Sequence, residues 1–277
     1  MSDWGFLLSR RWAGYLALTV AFAIVCCCLG AWQLARRAEA LTEVSRIDAN
    51  YDADPVAIDE ALPDLEGFDE DLKWLPVAVS GEWMPDKEVL VRNRPYSGAT
   101  GYEVITPFRL DDGTVFMIDR GWVSAPVDGT EVDVPAVSGG RVEVAARLKA
   151  GEDVIAGRSS TDDLLATIDL DELADRVEAP AYTGAYGLLV QSGAEANEPP
   201  LPATRPVRDE GPHLSYAFQW FVFALMAFIG LGWAARQERR ALTLDEDGPE
   251  APEPQPRPRR RAPSDDEVED GILDGTR

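Results

Sequence analysis

The sequence predicts an α+β membrane protein, with two transmembrane helices flanking a small β-rich extracytoplasmic domain. Three observations lead there. Residues 12–34 are almost wholly apolar, with Arg10-Arg11 before them and Arg36-Arg37 after them. A second apolar run opens at His213 and stops at Arg236. Between the two runs, short segments alternate apolar and polar side chains, the period of a half-buried strand. The resulting divisions are a cytoplasmic head (1–11), a first span (12–35), the β-rich domain with its linkers (36–212), a second span (213–235) and a cytoplasmic tail (236–277).

The alternative for residues 12–34 is a cleaved signal peptide. The run is longer than an h-region of about 7–15 residues, and no small-x-small site closes it before Arg36. Ser9-Arg10-Arg11 hints at a twin-arginine signal, but Trp12-Ala13 does not continue one. Val25 stands before Cys26 where a lipid-modified cysteine would follow a small residue. A retained anchor is therefore expected. The second run, as a helix rising 1.5 Å per residue, reaches roughly 33 Å, enough for a hydrocarbon core roughly 30 Å thick. Pro212 suits its first turn because proline has no N–H to leave unpaired.

The arginines around the first span are balanced, so the second sets the topology. Arg236, Arg239 and Arg240 follow it, whereas Arg205 and Arg208 before it are mixed with Asp209 and Glu210. By the positive-inside rule both termini are cytoplasmic and the domain is extracytoplasmic. The chain is then an integral, two-pass cell-membrane protein in contact with lipid.

Within the outer segment, a helical continuation is expected over 38–47 and a short helix near 56–61. Strands follow at 74–83 and, after the Pro85-Asp86 turn, at 87–94. Residues 102–110 and 114–123 flank Asp111-Asp112-Gly113, a hairpin signal because Asp-Gly supplies the positive φ of a tight turn. Residues 141–148 alternate again. Residues 169–177 read as a helix opened by Asp169, with Leu170, Leu173 and Val177 at helical spacing, and 186–191 read as a last strand. A Pro- and Glu-rich linker, 194–212, returns to the membrane. Beyond about 242 the chain is too poor in apolar residues to offset ordering entropy, so a disordered tail is expected.

The formal net charge of −23 argues against nucleic acid, whose phosphates need clustered Lys and Arg. The three cysteines, Cys26 to Cys28, are adjacent, and successive helical residues point about 100° apart, so they do not converge on a metal. There is no phosphate-cradling loop and no nucleophile with a base. One histidine and no cysteine outside the span leave no zinc site, so an enzyme is not expected.

Two features concern the helices. Ala13, Ala17 and Ala21 form a small-residue ridge that would let the spans approach closely. Gln33 and Gln219 sit at similar depth and are expected to face each other, or else each amide reaches the outer interface. Trp12, Trp32, Tyr216 and Trp233 read as interface aromatics. The sole histidine, His213, heads a stripe with Tyr216, Trp220 and Phe223. Above such an aromatic wall an imidazole can serve as axial ligand to a haem, with Arg92, Arg94, Arg120, Arg205 and Arg208 as cations for its propionates. Otherwise His213 only hydrogen-bonds water or lipid headgroups, the stripe packs on the first helix, and the arginines form structural ion pairs.

Several short blocks occur in a familiar order. Leu29-Gly-Ala-Trp-Gln-Leu-Ala-Arg36 ends the first span and Gly81-Glu-Trp83 follows. Next come Val91-Arg-Asn-Arg-Pro-Tyr-Ser-Gly-Ala-Thr-Gly-Tyr-Glu-Val-Ile-Thr-Pro107 and Asp119-Arg-Gly-Trp-Val123. His213-Leu-Ser-Tyr-Ala-Phe-Gln-Trp-Phe221 opens the second span. Over residues 11–236 the chain resembles the surfeit locus protein 1 family of cytochrome c oxidase assembly factors. The resemblance implies a non-enzymatic role in helping haem a reach subunit I of an aa3-type oxidase. It also implies haem a bound through His213, with Tyr216 and Trp220 lining the ring. The family often has Asn before that histidine, and here it is Pro212.

On this reading the partners are oxidase subunit I and associated assembly factors. Trp32, Gln33 and Gln219 fix the helix pair. The alternative is a haem-free structural chaperone that clamps nascent oxidase subunits through Asn93, Arg94, Gly101, Arg120, Gly121 and Trp122. A sensor would need an output domain for which the tail has no room.

Overall fold

The computed structural model describes residues 4–126, 132–158, 160–161, 163–192 and 200–246. The chain opens with one long helix, α1 (Arg10–Asn50), followed by β1 (Val56–Ala57), α2 (Ile58–Ala61), β2 (Pro76–Trp83), β3 (Val89–Tyr96) and β4 (Ala99–Leu110). Then come β5 (Val115–Ser124), β6 (Arg141–Ala150), β7 (Leu164–Leu165), α3 (Leu170–Ala174), β8 (Ala185–Ser192) and a final helix, α4 (His213–Glu246). Two compact units result, Met1–Leu29 with Gln219–Arg277, and Gly30–Phe218.

In the first unit, α1 and α4 run antiparallel. Glu238 near the end of α4 accepts from Trp12 Nε1 at 3.1 Å and pairs with Arg11 at the start of α1. Arg239 lies 5.0 Å from the centre of the Trp4 ring. Both helices are long and apolar enough to cross a membrane, and their large apolar side chains, Leu18, Ile24, Leu225 and Trp233 among them, point outward. Trp12 is a correction, because its indole is buried against the other helix rather than sitting free in an interface belt.

The small-residue seam also differs from expectation. Ala13, Ala17 and Ala21 are exposed, and Ala23, Cys26 and Ala224 are buried together with Trp220 against them. Steps of four residues drift about 40° around a helix of 3.6 residues per turn, so the alanine ridge turns away from the partner. Trp12, Ala23 and Cys26, spaced near the 3.5-residue repeat, stay on the seam. Cys26→Phe is expected to overpack that seam and cost about 1–3 kcal/mol, whereas Ala17→Leu leaves it untouched. Thermal melting in detergent, with Cys26→Phe lowered and Ala17→Leu at wild type, checks this.

In the second unit, α1 continues to Asn50 without a break. Arg36, Arg37 and Glu39 are good helix formers, and Arg36 pairs with Glu39 at 2.6 Å, so charge ends the apolar run but not the helix. The helix end is fastened to the domain. Ile47 is buried in a domain core. Glu43 accepts from Trp74 Nε1 and pairs with Lys73, both at 2.9 Å. Asn50 Nδ2 donates to the carbonyls of Asp71 and Lys73.

The strands form one eight-stranded sheet in the order β1-β2-β6-β8-β5-β4-β3-β7, and a further β2–β4 pairing closes β2, β6, β8, β5 and β4 into a ring. β8 slots between two strands that precede it, parallel to β5 and antiparallel to β6. The expected hairpin is β4–β5, with Gly113 at φ +91° and Asp112 Oδ1 accepting from Thr114 N at 2.8 Å. β5 reads Val-Phe-Met-Ile because it is buried on both faces. Phe116 and Ile118 belong to one core with Val79, Phe108 and Leu148, and Val115 and Met117 to another with Ile105, Leu173 and Tyr186. Asp169 caps α3, its Oδ1 accepting from the backbone N–H groups of Asp171 and Glu172.

Two boundaries move. Residues 236–246, read as tail, continue α4, while 247–277 lie outside the described residues. In the linker, residues 193–199 lie outside them, but Leu201 exchanges two backbone hydrogen bonds with Trp122, each 2.8 Å. The linker's second half is therefore attached to the edge of β5.

Candidate functional site

His213 is the first residue of α4, and what precedes it decides where the ring sits. The segment from Arg205 onward is held by ion pairs against α1 and the turn just past its end. Arg205 binds Asp52 with two hydrogen bonds, 3.0 and 2.6 Å, and lies 4.4 Å from the centre of the Tyr51 ring. Arg208 pairs with Asp48, and Glu210 with Arg37 at 2.7 Å. Gly211 N donates to Asp209 Oδ1 at 2.8 Å.

This series ends at His213. Its Nδ1 lies 2.8 Å from Oε1 of Gln33, and the ring is half-buried. A carboxamide oxygen only accepts, so Nδ1 carries the proton and the neutral ring keeps its lone pair on Nε2. Gly211, at φ +68°, abuts that second edge. A Cβ there would stand 3.1 Å from Cδ2 and 3.2 Å from Nε2, so any other residue would crowd the free nitrogen. Arg37 lies one turn beyond Gln33 on α1, and its Nε is buried with no acceptor among the described residues.

The other expected membrane-proximal residues are distributed as follows. Gln33 was expected opposite Gln219, but its carboxamide is taken by His213, and Gln219 is exposed in the other unit. Tyr216 and Trp32 are about half exposed, at 47% and 54%. Trp220 packs edge-on to Phe223, ring centres 5.9 Å apart, and rests on the Ala23–Cys26–Ala224 seam.

The arginines named for propionates are already engaged. Arg205 and Arg208 hold aspartates as above. Arg120 is buried, pairs with Glu88 at 2.6 Å and donates to the Pro135 carbonyl at 2.5 Å. Arg94 grips Glu152 with two bonds, 3.0 and 2.5 Å. Arg92 also has a partner.

The residues expected to touch a protein partner are mostly internal. Trp122 Nε1 donates to the Arg94 carbonyl at 2.9 Å, and its ring stacks on Tyr96 and covers Gly101. Gly121, at φ +130°, is buried under Leu201. Arg94, Gly101, Arg120, Gly121 and Trp122 therefore hold the domain together. Asn93, at φ 61°, Pro95 and the β3–β4 turn at residues 97–100 are exposed and free for docking.

Behind this motif lies a buried acidic group that the sequence reading missed. Asp119 is buried, and its Oδ1 accepts from Gly121 N at 2.8 Å. Burial pushes its pKa up and the charge of Glu103 pushes it further. The Gly121 N–H and the charges of Lys149 and Arg94 pull back, leaving it at about 7. Burial also raises Glu103, and the Arg94 charge opposes this only in part. Arg94 Nε is 2.9 Å from Glu103 Oε2, yet neither atom makes a hydrogen bond because the N–H is aimed elsewhere. Glu152 is also desolvated, but its bonds from Arg94 and from Ile168 N hold it below the usual range. The Tyr186 hydroxyl is buried without a partner among the described residues, and burial drives its pKa well up. Sequence contained one signal of this cluster, since Glu103 and Asp119 interrupt otherwise apolar strands.

These features define a class, a partly closed β-barrel domain bracketed by two helices of membrane length, with a lone imidazole at the head of the second. The chain belongs to the SURF1 family, whose model matches residues 20–225 and so takes in every residue discussed from Trp32 to Trp220. An uncharacterized SURF1-like protein of Mycobacterium tuberculosis is 30% identical over 255 residues, covering 90% of this chain and 92% of that one. A SURF1-like protein of Rickettsia felis is 22% identical over 223 residues, 77% of this chain and 93% of that one. The cytochrome oxidase assembly protein SHY1 of Saccharomyces cerevisiae is 30% identical over 111 residues, 39% of this chain and 28% of the yeast protein.

Proposed function

We propose that this protein assists assembly of cytochrome c oxidase, helping haem a reach subunit I of an aa3-type enzyme, and that it holds haem a through Nε2 of His213. Family membership and the name of the yeast relative, a cytochrome oxidase assembly protein, support the first half. The observation that supports the second is the state of the imidazole, with Nδ1 occupied by Gln33 and Nε2 facing a residue without a side chain. That donor set fits axial ligation, in which a neutral imidazole gives its free lone pair to iron. Among the described residues the Nε–H groups of Arg37 and Arg94 lack an acceptor, and that of Arg37, on the helix that carries Gln33, is the donor available to an anionic group near His213. Bound haem a would supply the redox-active iron that the oxidase needs, and this chain would only bind, orient and release it. The reading as a two-pass membrane protein with cytoplasmic termini is supported by the pairing of Arg11 with Glu238 and by the arginines Arg10, Arg236, Arg239 and Arg240 at those helix ends.

His213→Ala, purified in detergent from cells that make haem a, is expected to lose nearly all haem absorbance while keeping the wild-type melting temperature. Wild-type haem content in that variant would overturn the proposal. The haem-free chaperone reading rests on a different observation, the exposed Asn93 and the β3–β4 turn. It predicts that the factor co-purifies with apo-oxidase whether or not haem a is made.

A further inference from the structure

We infer that Gln33 is the positioning residue for His213, holding its ring in the tautomer that presents a bare Nε2. The inference rests on the haem-binding reading for its purpose, but its physical content concerns two side chains only. A free neutral imidazole side chain prefers its proton on Nε2, the tautomer that blocks coordination at that nitrogen. Reversing the preference needs an acceptor at Nδ1. Gln33 Oε1 is that acceptor, at 2.8 Å, and it is offered from α1, an element on which its position is fixed by helix geometry. Two ion pairs to α1, Arg208–Asp48 and Glu210–Arg37, and a third to Asp52 just past its end hold the approach of His213 to the same helix. Gly211 lies against the Nε2 edge, where a Cβ would stand 3.2 Å from the nitrogen, so no side chain covers it from that position.

Histidine ligands to metals commonly donate their other N–H to an oxygen acceptor, which fixes the ring and raises its basicity, and loss of that acceptor typically costs 10- to 100-fold in affinity. Gln33 is placed to do the same for His213. It touches the ligand and not the cargo.

Because His213 is the only histidine, selective ¹⁵N-histidine labelling of the full chain in detergent gives the spectrum of one ring. At about pH 8.5, where an ordinary imidazole is neutral, the wild type is expected to carry its proton on Nδ1. Gln33→Leu is expected to move the population to Nε2–H, and Gln33→Glu to keep Nδ1–H. Haem a affinity should fall about 10- to 100-fold in Gln33→Leu. In Gln33→Glu binding should persist, with the reduction potential lowered because a carboxylate makes the imidazole a stronger donor. A wild-type ring protonated on Nε2, or a Gln33→Leu ring still protonated on Nδ1, would overturn the inference. Full haem content in His213→Ala would instead sink the haem reading and leave the tautomer result standing. Loss in His213→Ala with wild-type affinity and potential in both Gln33 variants would sink the positioning role alone.

Discussion

Gly121→Ala is expected to lower the melting temperature of the purified protein by about 4–24 °C, or to abolish the folded domain. The backbone at this position has φ +130°, a region essentially reserved to glycine and costing other residues about 1–3 kcal/mol. The new Cβ would also lie 2.4 Å from the Leu201 carbonyl oxygen and 3.0 Å from its carbon. Those atoms are backbone and cannot swing aside as a side chain would. Leu201 can retreat only by giving up both hydrogen bonds to Trp122, at about 0.5–1.5 kcal/mol each. Together these costs amount to about 2–6 kcal/mol, against a total stability of about 5–15 kcal/mol for a typical domain, and each kcal/mol moves a domain of this size by about 2–4 °C. Circular dichroism melting in detergent reads the result. A variant melting within a degree or two of wild type would refute the account.

Asp119→Asn is expected to flatten the dependence of stability on pH between 5 and 8. The folded carboxyl titrates near 7 against an ordinary value of 3.8, so the folded state holds a proton that the unfolded chain has released. Wherever the native state binds more protons, stability falls as pH rises. The penalty is absent below about pH 4, grows through the window and is complete above about pH 7. Three units at 1.36 kcal/mol each put it on the order of 4 kcal/mol. Asparagine keeps the oxygen that accepts from Gly121 N and carries no charge. The variant should therefore melt well above wild type at pH 8 and close to it at pH 5. Parallel curves for the two proteins across that range would show that Asp119 is not the group responsible.

What could be read from sequence was local. The two apolar runs, the Asp111-Asp112-Gly113 hairpin, the Asp169 cap and most strands follow from periodicity and turn chemistry within a few residues. The closure of β2 on β4 and the insertion of β8 between β5 and β6 are long-range pairings with no periodic signature. The helix seam was misplaced because a four-residue ridge of alanines resembles a packing face until its drift around the axis is followed. At the site, His213 stood out as the only imidazole, and Gln33 as an amide in an apolar run. The pairing between them was missed because equal depth suggested a match of like with like. Arg37 was read only as a flank of the first span, since the partner that gives it a role, Glu210, is far away in the chain.

The position of β8 has a consequence for how the domain is made. Every other member of the ring is already synthesised when Ala185 is reached, yet the ring lacks the slat that joins its two arcs. Until that slat arrives, β5 and β6 each present a bare row of peptide groups, open to capture by another chain. A product cut short before residue 185 should therefore be sticky rather than partly useful, and nascent chains need their last third delivered promptly if they are to stay apart.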